Sequence, residues 1–361
     1  MQDVDICIAG AGIIGLSLAL ELERRGARVT VLEQGRPLSE ASTAAAGMLA
    51  SGDPENPPQL RPLADLSLRL YPEFLERLSG LSGTAIPFHT STTLQALPAH
   101  VADASPLSTE ELRTILPELV PGARRFVRLD EHSLDPRQLA VALYGSVRAK
   151  AIDLRTRTRV VSAHAVDGAV EIHTSSGSLR AGQFVDCTGA WATRSFTLTR
   201  LDASLGVVPR KGQILSVALP PELELRTVVR TPEIYIVPRT TDATVGRAVI
   251  GATIEDAGYD KTVYQADIAR LQRLAAELLP QIALARVAER WAGLRPATED
   301  GLPLLGGVPG EPNCFLAAGH YRNGILLAPA TARVMAQVLS GESASVDLGS
   351  FSPSRVFEAA G

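Results

Sequence analysis

Apolar and polar positions along this chain change rhythm from one segment to the next, and each change marks an element. Val4 to Ala9 is a short apolar run that leads directly into Gly10-Ala11-Gly12-Ile13-Ile14-Gly15. Leu16, Ala19, Leu20 and Leu22 then recur at helical spacing, with Gly26 as the expected stop. Val29 to Leu32 reads as a second strand, and Glu33 follows it. The pattern is strand, glycine turn, helix, strand, acid, which is a dinucleotide-binding fingerprint. Gly10 permits the tight turn, Gly12 admits a pyrophosphate to the backbone, and Gly15 lets the helix pack close to the sheet. The helix N-terminus offers free N–H groups to phosphate, and Glu33 is spaced to accept hydrogen bonds from a ribose. At this point NAD, NADP and FAD all remain open.

Farther along, Ser39 to Leu49 is rich in small residues, a stretch that suits either close backbone approach to something flat or an alanine-rich helix start. Asp53 to Pro62 reads as a loop and Leu63 to Leu81 as a helix. Short alternating runs between Gly83 and Val127 predict strands of a different sheet, with a capped helix start at Ser108 to Glu111. Asp135-Pro136 predicts an N-cap and first position of a helix reaching about Lys150. Arg159 to Val166 and Ala169 to Thr174 predict a hairpin turning at Asp167-Gly168. Phe184 to Cys187 is an apolar strand ending at Thr188-Gly189; taken alone it suits a core strand as well as one reaching a nucleotide. Gly212 to Leu219, Ile234 to Pro238 and Ala248 to Ala252 predict a largely antiparallel second sheet, and Ala266 to Leu279 an amphipathic helix. Cys314 to Gly319 is a strand, and Ile325 to Leu339 a final helix in which Pro329 is tolerable only near the first turn.

Three polar residues stand out against this pattern. Arg295 sits among apolar residues in Trp291 to Pro296, where a guanidinium needs an ion-pair partner or a ligand. Asp186 interrupts an apolar strand. His320, in the loop His320 to Gly324, suits a satisfied loop histidine better than a catalyst.

Composition narrows the class. With 361 residues the chain has room for two domains, and a net charge of -4 without a basic stripe argues against nucleic acid. The three cysteines, Cys7, Cys187 and Cys314, have neither metal nor paired spacing, so buried thiols and no metal site are expected. No segment has the apolar length of a membrane span, and Asp3 and Asp5 argue against a signal peptide at Ile6 to Leu20, so a cytoplasmic location is expected.

Taken together, the glycine turn, Ala44-Ala45-Ala46-Gly47-Met48-Leu49, Val185 to Trp191, Tyr235-Ile236-Val237-Pro238-Arg239, Trp291 to Pro296, Asp300-Gly301 and the run Ala317 to Thr331 resemble the D-amino-acid oxidase family of flavoproteins. These motifs span nearly the whole chain, and the last is the most specific. The resemblance implies an α/β, two-domain flavoprotein. Residues 1–80, 134–197 and 297–361 would form a Rossmann-like FAD-binding domain, and 81–133 and 198–296 a substrate domain on a largely antiparallel sheet. It implies non-covalent FAD: relatives that attach flavin use a cysteine near the Arg295 region, and here the nearby cysteine is Cys314, inside a strand. The implied cofactor contacts are Gly10, Gly12, Ile13, Ile14, Gly15, Glu33 and Gln34 toward the adenosine end; Ala45, Ala46, Gly47 and Met48 along the isoalloxazine; Thr188, Gly189 and Trp191; and Arg322, Asn323, Gly324 and Ile325 at the pyrimidine edge.

By the same resemblance Arg295 grips the substrate carboxylate in a fork, Tyr235 donates to it, Arg322 lies near substrate and flavin, and Met48 borders the pocket. The implied reaction oxidises small amino acids (glycine, sarcosine, small D-amino acids). Hydride passes to flavin N5 without a side-chain base, giving an imine that hydrolyses to 2-oxo acid and ammonia, and dioxygen is reduced to hydrogen peroxide. One branch of the family serves thiazole synthesis. A quinone-linked dehydrogenase and a non-catalytic dinucleotide-binding protein are the competing readings, and the chain is compatible with a homo-oligomer. Small-substrate members carry a histidine where this chain has Glu233, two residues before Tyr235, and valine or asparagine at Asp186. Glu233 is either a surface acid or an attractor of the substrate ammonium.

Overall fold

The computed structural model describes residues 4–98, 105–192, 197–198 and 206–358. The N-terminal half of the chain begins with β1 (Val4–Ala9), α1 (Ile13–Arg24) and β2 (Val29–Leu32), then a one-turn helix α2 (Ala41–Ala44) and the long α3 (Arg61–Ser82). The strands β3 (Phe88–Thr90) and β4 (Thr93–Ala96), α4 (Thr109–Ile115), β5 (Phe126–Leu129), β6 (Ser133–Leu134) and α5 (Pro136–Arg148) follow. Next come β7 (Asp153–Arg155), β8 (Val160–Val166), β9 (Ala169–Thr174), β10 (Gly177–Asp186) and β11 (Thr197–Leu198). The remainder holds β12 (Val208–Ala218), β13 (Val228–Arg230), β14 (Tyr235–Arg239), β15 (Arg247–Gly251), α6 (Gln265–Leu278), β16 (Val287–Ala297), β17 (Leu304–Gly307), β18 (Cys314–Ala318) and α7 (Gly324–Leu339).

These strands sort into two main sheets. The first runs β11-β8-β9-β10-β1-β2-β7, with β18 beside the C-terminal half of β10 and β17 beside β18. β1, β2, β7, β10 and β18 are mutually parallel, so both faces need cover. On one face α1, α3, α5 and α7 bury Leu16, Leu20, Leu63, Leu143 and Val334. The second sheet runs β16-β12-β15-β14-β13-β4-β5 and is antiparallel apart from the β13–β4 pair. Its separate core includes Leu94, Phe126, Ile236, Ile250 and Leu271, covered by α4 and α6.

Local chemistry accounts for several element boundaries. Gly26 takes φ +90° just past α1. Ser108 and Glu111 form the reciprocal capping box. Asp135 accepts from the Arg137 N–H at the start of α5. The β8–β9 hairpin turns on Asp167 and Gly168, both at positive φ, as its two-residue loop requires. Trp291 to Pro296 belongs to an eleven-residue strand, β16, paired along β12. One expectation needs correction. Pro329 lies in the second turn of α7, beyond the N–H groups that lack helical partners. The helix absorbs it through α3. Tyr71 donates its hydroxyl to the Ile325 carbonyl at 2.5 Å, the carbonyl that Pro329 cannot satisfy. Ser67 bridges the next pair, donating to the Leu326 carbonyl and accepting from the Ala330 N–H. Side chains from a helix remote in sequence thus supply hydrogen bonds that the proline removes.

Candidate active site

Two clefts lie between the glycine turn and the second sheet, and they share Gly12, Ala41, Ser42, Cys187, Gly189 and Leu294 as walls. The smaller cleft, of about 110 Å³, is bounded by Gly10, Gly12, Glu33, Gln34, Thr188, Gly189 and Trp191. Its shape depends on missing side chains. A Cβ on Gly10, which sits at φ +99°, would lie 2.5 Å from the Cys187 carbonyl oxygen. One on Gly15 would lie 2.0 Å from the Gly10 carbonyl oxygen, so helix and turn touch backbone to backbone. At Gly12 a Cβ would meet only the Ser42 hydroxyl, at 3.4 Å, which leaves that backbone open to an approaching phosphate. Glu33 is anchored by the Ala11 and Gly35 N–H groups at 2.9 and 2.7 Å, and each oxygen keeps a lone pair for a further donor. This is a cradle that fits the pyrophosphate and ribose of a dinucleotide. Ser42 was not anticipated; its hydroxyl accepts from the Ile13 N–H at 2.9 Å, and a serine within an alanine-rich run was the available signal.

The larger cavity, of about 230 Å³, is bounded by the stretch Ala44 to Met48, by Ile13 and Ile14, by Tyr235 and Arg295 from the second sheet, and by Arg322 to Ile325 at the start of α7. Of the two sequence readings for the small-residue stretch, the helix start is seen as one turn, Ala41 to Ala44, after which the chain extends at Ala45. Two side chains fasten it to the second sheet. Trp291 donates its indole N–H to the Ala44 carbonyl at 3.0 Å, and Arg239 donates to the Ala46 carbonyl at 3.0 Å. Gly47, at φ +88°, passes so close to Leu134 that a Cβ would lie 1.9 Å from its carbonyl oxygen. The sixteen residues of α7 begin at this cavity, so the positive end of the helix borders it.

The cavity's arginines differ in their partners. Arg322 pairs with Glu55 and Asp53 and donates to Asn56, so its guanidinium is engaged by the loop beside the site rather than turned freely toward a substrate. Arg230, not anticipated, is buried against Glu131 at 3.1 Å and Asp53 at 3.8 Å, and it donates to Gln95. Its signal in sequence was the same as that of Arg295, a guanidinium closing an apolar run. Arg295 alone among these three pairs with no carboxylate among the described residues. It donates through Nη1 to the carbonyls of Thr253 at 3.1 Å and Lys211 at 3.4 Å. Tyr235 adjoins it; burial raises the Tyr235 pKa, although the nearby Arg295 and Arg239 charges oppose the shift, so at neutral pH the hydroxyl remains a donor. Glu233 is exposed at the cavity wall and accepts from the Thr231 hydroxyl at 2.8 Å.

His320 borders the cavity but is buried, bonded to the Thr331 hydroxyl at 3.1 Å, and its pKa is lowered by desolvation to about 3. An imidazole of that acidity is a poor proton acceptor. The cysteine that the structure brings to the cavities is Cys187, not Cys314; burial and then the Asp186 charge push its thiol pKa well up, which disfavours the reactive thiolate. Cys314 lies in β18, with its pKa raised by burial to about 12. No cluster of metal-ligating side chains occurs among the described residues, and no described helix is long and apolar enough to cross a membrane.

Comparison with known proteins agrees in family and fold. Residues 5–338 match the DAO family model, described as FAD dependent oxidoreductase. Glycine oxidase of Pseudomonas aeruginosa is 33% identical over 96% of this chain and 98% of its own length. The bifunctional protein ThiO/ThiG of Trichormus variabilis is 35% identical over 97% of this chain, which spans only 55% of that longer protein. The crystal structure of glycine oxidase from Geobacillus kaustophilus superposes with a TM-score of 0.90 at 31% identity, covering 98% of this chain and 99% of that one.

Proposed function

This chain belongs to the DAO family of FAD-dependent oxidoreductases, and from that premise we propose that it is an amino-acid oxidase whose substrates are glycine, sarcosine and small D-amino acids. FAD is its cofactor, and we assign the Gly10–Gly15 cradle and Glu33 to the adenosine diphosphate half and the cavity edged by Ala45 to Met48 and Arg322 to Ile325 to the flavin. Held by these residues, FAD would supply a two-electron acceptor for the α-hydrogen as hydride, with dioxygen and a proton as the final acceptors that yield hydrogen peroxide. Attachment is non-covalent, a reading supported by the high pKa of Cys187. The domain assignment made from sequence is supported by the strands, since those of the first sheet fall in 1–80, 134–197 and 297–361 and those of the second in 81–133 and 198–296, apart from Leu198 and Ala297 at the edges.

The observation that carries the substrate reading is the pairing of the three cavity arginines. Arg230 and Arg322 already have carboxylate partners; among the described residues Arg295 has only carbonyls and a tyrosine hydroxyl beside it. A substrate carboxylate completes it, held in a fork by the remaining N–H groups and by Tyr235. Positioning then carries much of the rate, and a hydride transfer asks for no side-chain base; the cavity's histidine, its pKa lowered by burial to about 3, would be a poor one. The start of α7 borders the same cavity, and its positive dipole end would favour negative charge on a reduced cofactor held there. Two long arginine side chains and an aromatic ring favour a small substrate side chain. The relation to ThiO/ThiG proteins supports the further reading that the imine product feeds thiazole synthesis for thiamine.

The test is direct. The purified protein should be yellow, acid precipitation should leave the colour in solution, and peroxide should form in air faster with glycine, sarcosine or D-alanine than with aromatic D-amino acids. A colourless protein, or oxidation coupled only to a quinone, would refute the reading.

A further inference from the structure

Building on the assignment of Arg295 to the substrate carboxylate, we infer that Lys211 and Gly212 of β12 are positioning residues that fix where the Arg295 guanidinium stands, and so set the affinity for carboxylate substrates. β12 runs antiparallel to β16, with Arg210 opposite Arg295, Lys211 opposite Leu294 and Gly212 opposite Gly293. The Arg295 side chain lies across β12 at Gly212. A Cβ there would stand 2.3 Å from Nη2 and 2.5 Å from Nη1 and Cζ. Gly212 is absent from the positive-φ glycines, so its backbone does not require glycine; the guanidinium does.

The other side of the seat is made by the segment after β15. The Thr253 carbonyl accepts from Arg295 Nη1, and the segment is tied to β12 beside it. Lys211 and Glu255 exchange backbone hydrogen bonds, both at 3.0 Å. The Lys211 ammonium has no exposed side-chain surface, and lies 3.2 Å from Asp260, 3.4 Å from Glu255 and 4.6 Å above the Tyr264 ring. Gln213 donates its backbone N–H to the Thr253 hydroxyl at 2.8 Å and its amide to Glu255 at 2.8 Å and Asp267 at 2.7 Å; the Thr253 hydroxyl also donates to Glu255. Lys211 therefore acts twice on Arg295, directly through its carbonyl and indirectly by clamping the segment that presents Thr253. Burying an ammonium to hold two half-exposed acids is a costly way merely to close a strand edge. Its consequence is one fixed orientation for a guanidinium that has no carboxylate partner among the described residues.

Three variants of the holoenzyme test this. Gly212→Ala forces the guanidinium to shift, and a shift on the order of 1 Å should raise KM for glycine about tenfold or more. The dissociation constant for acetate, read from the flavin absorbance, should rise by the same factor, while kcat changes much less and flavin content and Tm hold. Lys211→Met should move both constants in the same direction by a smaller factor. If that variant does not fold, Asp260→Asn, at a partner whose side chain is 39% exposed, loosens the same clamp and should give a smaller rise still. A loss of Tm or flavin with unchanged acetate binding would overturn the inference, because it would make the cluster structural only. The experiment includes Arg295→Ala. If acetate binding collapses there but is normal in all β12 and Asp260 variants, the positioning role fails alone; if it survives in Arg295→Ala, the carboxylate assignment fails and the inference with it.

Discussion

The two clefts are built from different materials. The cleft assigned to adenosine diphosphate is shaped by backbone, with Gly10 and Gly15 making room by lacking a Cβ and the Ala11 and Gly35 N–H groups anchoring Glu33. The cavity assigned to flavin and substrate is shaped by side chains drawn from strands far apart in sequence, Tyr235 from β14 and Arg295 from β16, each standing over a glycine of a neighbouring strand, Gly251 and Gly212. The glycine turn and Glu33 of the first lie within one stretch of chain, although Cys187 to Trp191 close it from afar, and they suit what dinucleotides share. The second is discontinuous, so single residues can change and tune the substrate while the cofactor stays in place.

That separation can be broken most severely at Arg295. Arg295→Ala should cost about 2–5 kcal/mol in kcat/KM for glycine, as for truncated charge pairs, with FAD retained. Normal kcat/KM, or loss of the flavin, would mean that the two clefts are not independent. Gly10→Ala should do the reverse. The left-handed φ and the approach to Cys187 impose strain of about 1–3 kcal/mol, read as weaker FAD binding, while the reconstituted fraction keeps a normal KM. Equal damage to KM would erase the distinction.

A pH titration sharpens it, because a buried group beside each cleft, Asp186 at the smaller and His320 at the larger, shifts in the opposite sense to the other. Asp186, at the end of β10, is raised by desolvation to about 6, against hydrogen bonds from the Thr188 N–H and hydroxyl. Its Oδ2 has no hydrogen-bond partner among the described residues. Between about pH 4 and 6 the folded chain holds a proton that the unfolded chain releases, so this group's contribution weakens as pH rises and the penalty is complete above 6. Asp186→Asn should therefore stabilise the protein at pH 8 by about 1–3 kcal/mol, with the gain fading below pH 4. His320, lowered to about 3 from 6.5, has the opposite sign: the unfolded chain takes up the proton, so stability falls as pH drops through that window. Thermal melts of Asp186→Asn and His320→Gln across pH 4 to 8 check both; parallel profiles would contradict the assignment. The smallest effect is expected at Glu233, on the cavity wall. Glu233→Gln should raise KM for primary amines by a factor equivalent to roughly 1 kcal/mol or less, with the maximal rate unchanged. An unchanged KM would leave Glu233 as a surface acid.

Much of this molecule is legible without coordinates wherever the physics is local. The β1–α1–β2 unit, the capping box at Ser108, the Asp167-Gly168 hairpin and the α5 start at Asp135 are written in residues within a few positions of each other, because caps and turns are satisfied by near neighbours. Arg295 could be singled out as an arginine that needed a partner. Its surroundings could not, because Lys211, Gly212 and Thr253 reach it only through strand register and a neighbouring loop. Pro329 shows the same limit: from sequence it must lie in the first turn, yet Tyr71 and Ser67 of α3 let it lie in the second. The cysteine at the cavity is Cys187 for a similar reason, since proximity along the chain says little about which strand ends meet. The sequence by itself determined the dinucleotide cradle and the family's motifs. Only the tertiary structure decided which cavity arginines already have carboxylate partners, because Asp53, Glu55 and Glu131 reach Arg230 and Arg322 across 99 to 269 positions of chain.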